Sequence, residues 1–229
     1  MESSNPASSL ADQAYHRLHR EILTCTLMPG QVVSERELAH RYKISKTPIR
    51  EALMQTCHDG LIQRLPGRGY MVAPITIKDI QDLFDLRLIL ELTAAERAAQ
   101  NSPPSIIRQL REMADTSYDL ENPESHIMFL QTNRDFHLTL AEAAGNRRLA
   151  AMLKDLLDQL ERLFHLGLRL RDSSQEMVRE HREIVAALEN GDIHAAREVI
   201  ARQILTSRDR ILEAIIKGDI QSVHVVSHT

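Results

Sequence analysis

The sequence predicts a mainly α chain in two parts: three short helices closed by a hairpin, then a longer all-helical body. Three observations carry this. Apolar residues recur at helical spacing over most of the 229 residues. Strand character with a Gly-rich turn is confined to residues 61–73. Beyond Thr76 no convincing strand pattern occurs, and helix-start signals follow one another along the chain.

Ser9 is expected to cap a first helix whose apolar positions Ala14, Leu18, Ile22 and Leu23 fall at helical spacing. Met28-Pro29-Gly30 ends the connection that follows it. Ser34 with Glu37 has the pattern of a capping box, opening a short second helix that ends near Lys43. Ser45 is expected to cap a third helix. Pro48 falls in its first turn, where a missing N–H does no harm. Ile49, Ala52, Leu53 and Thr56 give that helix a buried face, and Gly60 closes it after Asp59. Residues 61–65 and 70–73 read as strands joined by the Pro66-Gly67-Arg68-Gly69 turn. Helix, helix, helix, hairpin is the order of a winged helix-turn-helix. Six further helical segments are marked by Thr76, Ser102-Pro103, Asn122-Pro123, Asn146, Ser173 and Asp192, with Gly145, Gly191 and Gly218 at helix ends. The tail beyond Ile220 is expected to fray. The domains are therefore expected at 9–75 and 76–220.

With 43% hydrophobic and 26% charged residues, the composition is that of an ordinary globular protein. No apolar run approaches the roughly 20 residues of a membrane span. Met1 to Ser8 lack a signal-peptide pattern, so a cytoplasmic location is expected. Cys25 and Cys57 have no CxxC spacing and read as small core residues. Residues 1–75 hold nine Lys and Arg against seven Asp and Glu, the remainder nineteen against twenty-five. An acidic body behind a mildly basic head suits a protein that meets DNA with one end. Aromatic residues, at 3%, are too few for a single-strand stacking platform.

The major groove of a duplex admits one α-helix, whose N-terminal residues face the base edges. Lys46, Thr47 and Arg50 lie in the first two turns of the third helix, and Lys46 and Arg50, four apart, share a face. The Arg50 fork matches guanine O6 and N7. Ser45 and Thr47 hydroxyls suit phosphate at a helix start. Arg36 can reach the backbone or an adjacent base. Arg68, between Gly67 and Gly69, can enter the minor groove.

These residues carry a resemblance. Pro29-Gly30, Ser34-Glu35-Arg36-Glu37-Leu38-Ala39, Ser45-Lys46-Thr47-Pro48-Ile49-Arg50-Glu51-Ala52-Leu53, Gly60-Leu61-Ile62 and Gly67-Arg68-Gly69 resemble the N-terminal domain of GntR-family bacterial transcription regulators. The resemblance implies DNA contacts at Arg36, Ser45, Lys46, Thr47, Arg50, Gly67 and Arg68. Lys46 departs from the usual Arg; a point charge in place of a fork softens base discrimination there.

In the body, Asn133 and His137 sit four apart on one helix face, His181 opens an apolar pattern with Ile184, Val185 and Leu188, and Gln203 lies among Ile200 and Ile204. Arg87 stands inside an apolar helix, four residues before Glu91. Taken alone, such residues are more often hydrogen-bonded core groups, or an Arg paired with its neighbour, than a site. However, Arg87…Glu91, Asn133-Arg134-Asp135-Phe136-His137, Ala144-Gly145-Asn146, Glu180-His181-Arg182-Glu183-Ile184 and Asn190-Gly191-Asp192 resemble the helical effector domain (FCD type) of the FadR subfamily. In that subfamily an Asp or Asn four residues before a His, with two further His, holds a divalent metal in many members, and an Arg of the first effector-domain helix partners a small carboxylate. The implied metal set is Asn133, His137, His181 and Gln203; Gln203 stands where His is usual. The implied effector set is Arg87, Asn133, His137, His181 and Gln203. Two readings follow: a weakened Zn²⁺- or Ni²⁺-type ion, or direct effector binding by Arg87, His137, His181 and Gln203. Gln203→His is expected to raise divalent-metal affinity. Asp135, two residues from His137, points to the other side of its helix.

The expected function is a ligand-responsive transcription regulator, a repressor, binding a two-fold related operator as a homodimer with a small carboxylate effector. The alternatives are a DNA-binding dimer without sensing and a metal-dependent enzyme. The second lacks a nucleophile motif, a placed general base and a phosphate-cradling loop.

Overall fold

A computed structural model describes residues 9–116 and 122–217. Gly218 and the tail beyond Ile220 lie outside the described residues, as does the segment 1–8. The chain divides into two compact units, with the division between Thr76 and Ile77.

The first unit runs α1 (Leu10–Leu23), β1 (Val32–Val33), α2 (Glu35–Tyr42), α3 (Lys46–His58), β2 (Ile62–Leu65) and β3 (Gly69–Val72). Its core joins Ala14, Leu18 and Ile22 of α1 to Leu38 of α2, Ile49, Ala52 and Leu53 of α3, and Val33, Ile62 and Val72 of the strands. Burying a Leu or Ile side chain contributes about 1.5–3 kcal/mol, so this apolar set, with α1 packed along α3, holds the helix-turn-helix rigid. Ser9 forms a complete capping box with Asp12. Ser34 forms only half of one: its hydroxyl accepts from the Glu37 N–H, with no return bond. Ser45 sits at the N-cap of α3 but its side chain makes no capping hydrogen bond. Lys43 ends α2 in a left-handed conformation, φ 57°.

The sheet has three antiparallel strands in the order β1-β3-β2, not the two of a lone hairpin. β1 is two residues long, too short for alternation to show, and exists by pairing Val32 with Met71 and Val33 with Tyr70. Gly69, at φ +101°, makes this possible: a Cβ there would lie 2.6 Å from the Val33 carbonyl oxygen.

The second unit is α4 (Ile77–Asn101), α5 (Pro104–Ala114), α6 (Pro123–Ala143), α7 (Arg147–Leu170), α8 (Ser174–Glu189) and α9 (Ile193–Lys217). Asn122 and Asn146 accept backbone N–H groups at the starts of α6 and α7. α4 is the central helix, packing on α6, α7, α8 and most extensively on α9. Its buried face includes Ile80, Phe84, Leu90, Ala94, Ala95 and Ala98, and between them the charged Arg87 and Glu91. A polar cluster is thereby set at the centre of the bundle. No helix among the described residues is long and apolar enough to cross a membrane.

Candidate functional site

Two sites are built, one in each unit. In the first, the residues expected at DNA all stand at the surface. Arg36, Ser45, Lys46, Thr47, Arg50, Gly67 and Arg68 are exposed, whereas Pro48, Ile49, Ala52 and Leu53 of the same α3 are buried. The sequence folds this way because α3 must turn its apolar stripe to α1, which leaves the cationic stripe to solvent. The Ser45 hydroxyl, not engaged as a cap, remains available beside the free N–H groups of the α3 start.

Arg50 has a partner that the sequence did not suggest. Its Nε donates to Glu35 Oε1 at 3.0 Å and its Nη2 to Glu35 Oε2 at 2.9 Å. The Tyr70 hydroxyl, from β3, donates to the same Oε1 at 3.3 Å. The hydrogen bonds from Arg50 lead in holding the Glu35 carboxyl below its usual range, against a smaller effect of burial. Glu35 and Arg50 are fifteen residues apart, on different helices, and no periodicity links them.

In the second unit, the five residues expected at an effector or metal are all buried: Arg87 0%, Asn133 4%, His137 0%, His181 3% and Gln203 2% exposed. Three of them form one connected network together with Glu91, itself fully buried. Arg87 Nε donates to Glu91 Oε1 at 2.5 Å, and Arg87 Nη2 lies 2.8 Å from His137 Nε2. His137 Nδ1 lies 2.6 Å from Glu91 Oε2. His181 Nε2 is 3.4 Å from His137 Nε2, and its ring stacks on Phe136 at 4.1 Å. The rings of Phe84 and Phe164 flank the guanidinium, 5.8 and 5.3 Å from Arg87 Cζ. Asp135 is exposed and beside Arg134, away from this network.

Burial pushes the Glu91 carboxyl up, but Arg87 and His137 outweigh it and hold it down at about 2. Burial likewise lowers His137, against the pull of Glu91, and lowers His181 further, aided by His137 and Arg87. Both imidazoles are therefore neutral at pH 7. His137 then has one consistent tautomer: Nδ1–H donates to Glu91, and the Nε2 lone pair accepts from Arg87. Among the five expected site residues, three buried atoms have no hydrogen-bond partner: Arg87 Nη1, Asn133 Oδ1 and Gln203 Oε1. Glu91, expected only as a neighbour of Arg87, is a full member of the site, and its spacing of four from Arg87 is the sequence signal for it.

As arranged, this donor set does not fit a resident dication. The His137 lone pair that would ligate it already receives the guanidinium, and a second cation there would meet strong repulsion at low dielectric. Among the described residues no three His, Cys, Asp or Glu converge as metal ligands. Beside the network, Phe164 also lines a cavity of about 10 Å³ with Gly167, Met177, Ser207, Arg210 and Ile211, room for about one water.

Residues 10–72 match the family model for bacterial regulatory proteins of the gntR family, and residues 82–206 that of the FCD domain. The HTH-type transcriptional repressor RspR of Escherichia coli K12 is 26% identical over 200 residues, 87% of this chain and 88% of that protein. The HTH-type transcriptional regulator YdhC of Bacillus subtilis is 27% identical over 191 residues, 81% and 84% of the two chains. Among solved structures, E. coli McbR/YncC aligns with a TM-score of 0.67 at 21% identity, over 91% of this chain and all of that one. A putative GntR regulator from Rhodococcus sp. RHA1 aligns equally well, TM-score 0.67 at 22% identity, over 90% and 99%.

Proposed function

This chain belongs to the GntR family of bacterial transcription regulators, with a helical FCD domain following its DNA-binding domain, and on that premise we propose that it is an effector-responsive repressor acting as a homodimer in the cytoplasm. It is a regulator and not an enzyme. We take residues 9–75 as the DNA-binding domain and 76–220 as the effector and dimerisation domain. The observation that carries the reading is the split of α3 into a buried apolar stripe and an exposed cationic one, with Arg36 and Arg68 exposed beside it. Arg50 and Lys46 read base edges; Ser45, Thr47 and Arg36 grip the backbone; Gly67 and Arg68 enter the neighbouring groove. A two-fold dimer then meets two related half-sites. Leu86 and Ile89, exposed on α4, supply apolar surface for the second copy. The repressor sense follows the name of the relative RspR.

The effector is a small carboxylate taken by Arg87, with His137, His181, Asn133 and Gln203 around it. Support comes from the donor Arg87 Nη1, left without an acceptor in the bundle core. No metal is assigned a part, because Arg87 is the resident cation. The cavity beside Phe164 holds little more than a water, so an acid entering from that side displaces the Phe164 ring that flanks the guanidinium. That displacement is the two-state element through which ligand alters operator affinity.

Selection of duplexes from a genomic library tests the DNA reading. The wild-type chain is expected to enrich discrete sequences with salt-sensitive affinity. Undiminished specificity in Arg50→Ala would overturn the assignment. For the effector, a panel of small carboxylic acids is expected to raise the melting temperature of wild type and not of Arg87→Met.

A further inference from the structure

We propose that Glu35, held in turn by Tyr70, is a positioning residue that aims the Arg50 guanidinium end-on at a guanine. This inference rests on the reading of Arg50 as a base contact. A guanidinium carries five N–H groups along its edges. Glu35 takes the side edge, Nε and one Nη2 hydrogen, through both carboxylate oxygens. The remaining edge is the Nη1/Nη2 end, two parallel donors matched to the O6 and N7 acceptors that guanine alone presents in the major groove. Adenine offers a donor next to its N7 and is refused by the same fork.

The hold is itself anchored. Glu35 lies in the first turn of α2, where its charge is favoured by the helix start. Tyr70, whose ring is buried in the head core, donates its hydroxyl to Oε1. β3, α2 and α3 thus contribute one residue each to a relay Tyr70–Glu35–Arg50. An Arg side chain has several rotatable bonds. Fixed on one edge, it loses that freedom before DNA arrives, so less remains to be lost on binding.

Glu35 also sets a penalty that makes the proposal separable from simple stability. Its negative charge stands beside the phosphate-facing surface, so it works against sequence-independent binding while favouring the guanine contact. Removing the charge therefore acts with opposite signs on the two kinds of binding. Glu35→Gln is expected to lower specific affinity and leave non-specific affinity equal or higher, reducing the specificity ratio about tenfold, the worth of a good bidentate base contact. Tyr70→Phe keeps the ring and removes only the donor, and is expected to lower the ratio about twofold to threefold.

The experiment uses the full chain and the duplex that wild type selects from a random library. Specific and scrambled duplexes are titrated with wild type, Glu35→Gln, Tyr70→Phe and Arg50→Ala, with melting temperature as the folding control. Each operator guanine is then replaced by 7-deazaguanine, which lacks the N7 acceptor. Wild type is expected to lose affinity at one guanine per half-site, and Glu35→Gln to show little further loss there. A Glu35→Gln chain with wild-type ratio and wild-type 7-deazaguanine sensitivity overturns the inference while the regulator reading stands. Parallel losses on specific and scrambled duplexes overturn it as well, by showing a merely structural role. A wild-type chain without sequence preference overturns both readings, and an Arg50→Ala chain that keeps the preference removes the premise.

Discussion

Replacing Glu91 by Gln removes one charge from a pair in which both side chains are wholly buried. An arginine guanidinium, unlike a carboxyl, has no neutral form to retreat to inside a protein. Arg87 would be left with an uncompensated charge, and the His137 N–H would lose its carboxylate acceptor. Breaking a buried pair from one side costs about 3–5 kcal/mol. For a chain of this size that is a fall of roughly 10 °C in melting temperature. The opposite substitution, Arg87→Met, has a way out. Burial alone pushes the Glu91 carboxyl up, and without Arg87 the group can take a proton or pass its charge requirement to His137. Its cost is expected to be smaller than that of Glu91→Gln. Differential scanning calorimetry at pH 7.5 and two salt concentrations measures both, and the difference should be insensitive to salt because the pair is screened from solvent. An Arg87→Met chain less stable than Glu91→Gln, or a Glu91→Gln chain within about 2 °C of wild type, would refute the picture of a dry, charge-balanced centre.

Three further outcomes are expected. His137 and His181 are held neutral by burial, with pKa values below the unfolded value. The unfolded chain therefore binds more protons, and the stability of the helical body should be complete above about pH 6.5 and fall as pH drops below it. Melts of His181→Asn should show a shallower fall between pH 7 and pH 5, and an unchanged slope would count against the assignment. Gln203→His should add little zinc affinity while Arg87 occupies the His137 lone pair, but should add much in Arg87→Ala, as read by titration against a chelating dye. An equal gain in both backgrounds would mean that Arg87 does not compete for the site. Finally, Ser34→Ala should cost the head about 1 kcal/mol by removing a helix cap. Ser45→Ala, whose hydroxyl caps nothing, should leave the melt within about 0.5 kcal/mol of wild type while weakening operator binding. A large melt shift for Ser45→Ala would place that hydroxyl in the fold and not at phosphate.

Much of this protein is local, and what is local was open to the sequence. Among the described residues, the six body helices begin within a residue or two of the Ser, Thr, Asn, Asp and Pro signals at Thr76, Ser102-Pro103, Asn122-Pro123, Asn146, Ser173 and Asp192. Ile49, Ala52, Leu53 and Thr56 mark the inner face of α3 through spacing alone, and each is buried. Helix period and end chemistry act between residues three or four apart, so one strand of text contains them. Contacts across long separations are different. β1 exists only because Gly69 lets β3 approach Val33. Ser45 has the right residue type for a cap and sits at the N-cap of α3, yet its side chain makes no capping hydrogen bond. The polar residues Asn133, His137, His181 and Gln203 were visible as candidates, but their chemistry was not. Three helices, α4, α6 and α8, converge to bring Arg87 and Glu91 against His137 and His181, and that convergence hands the imidazole lone pair to a guanidinium. Sequence alone determined which helix residues face inward and where each helix starts; tertiary packing decided the third strand and which charges meet, because strand pairing and electrostatic partnership depend on distance through space and not along the chain.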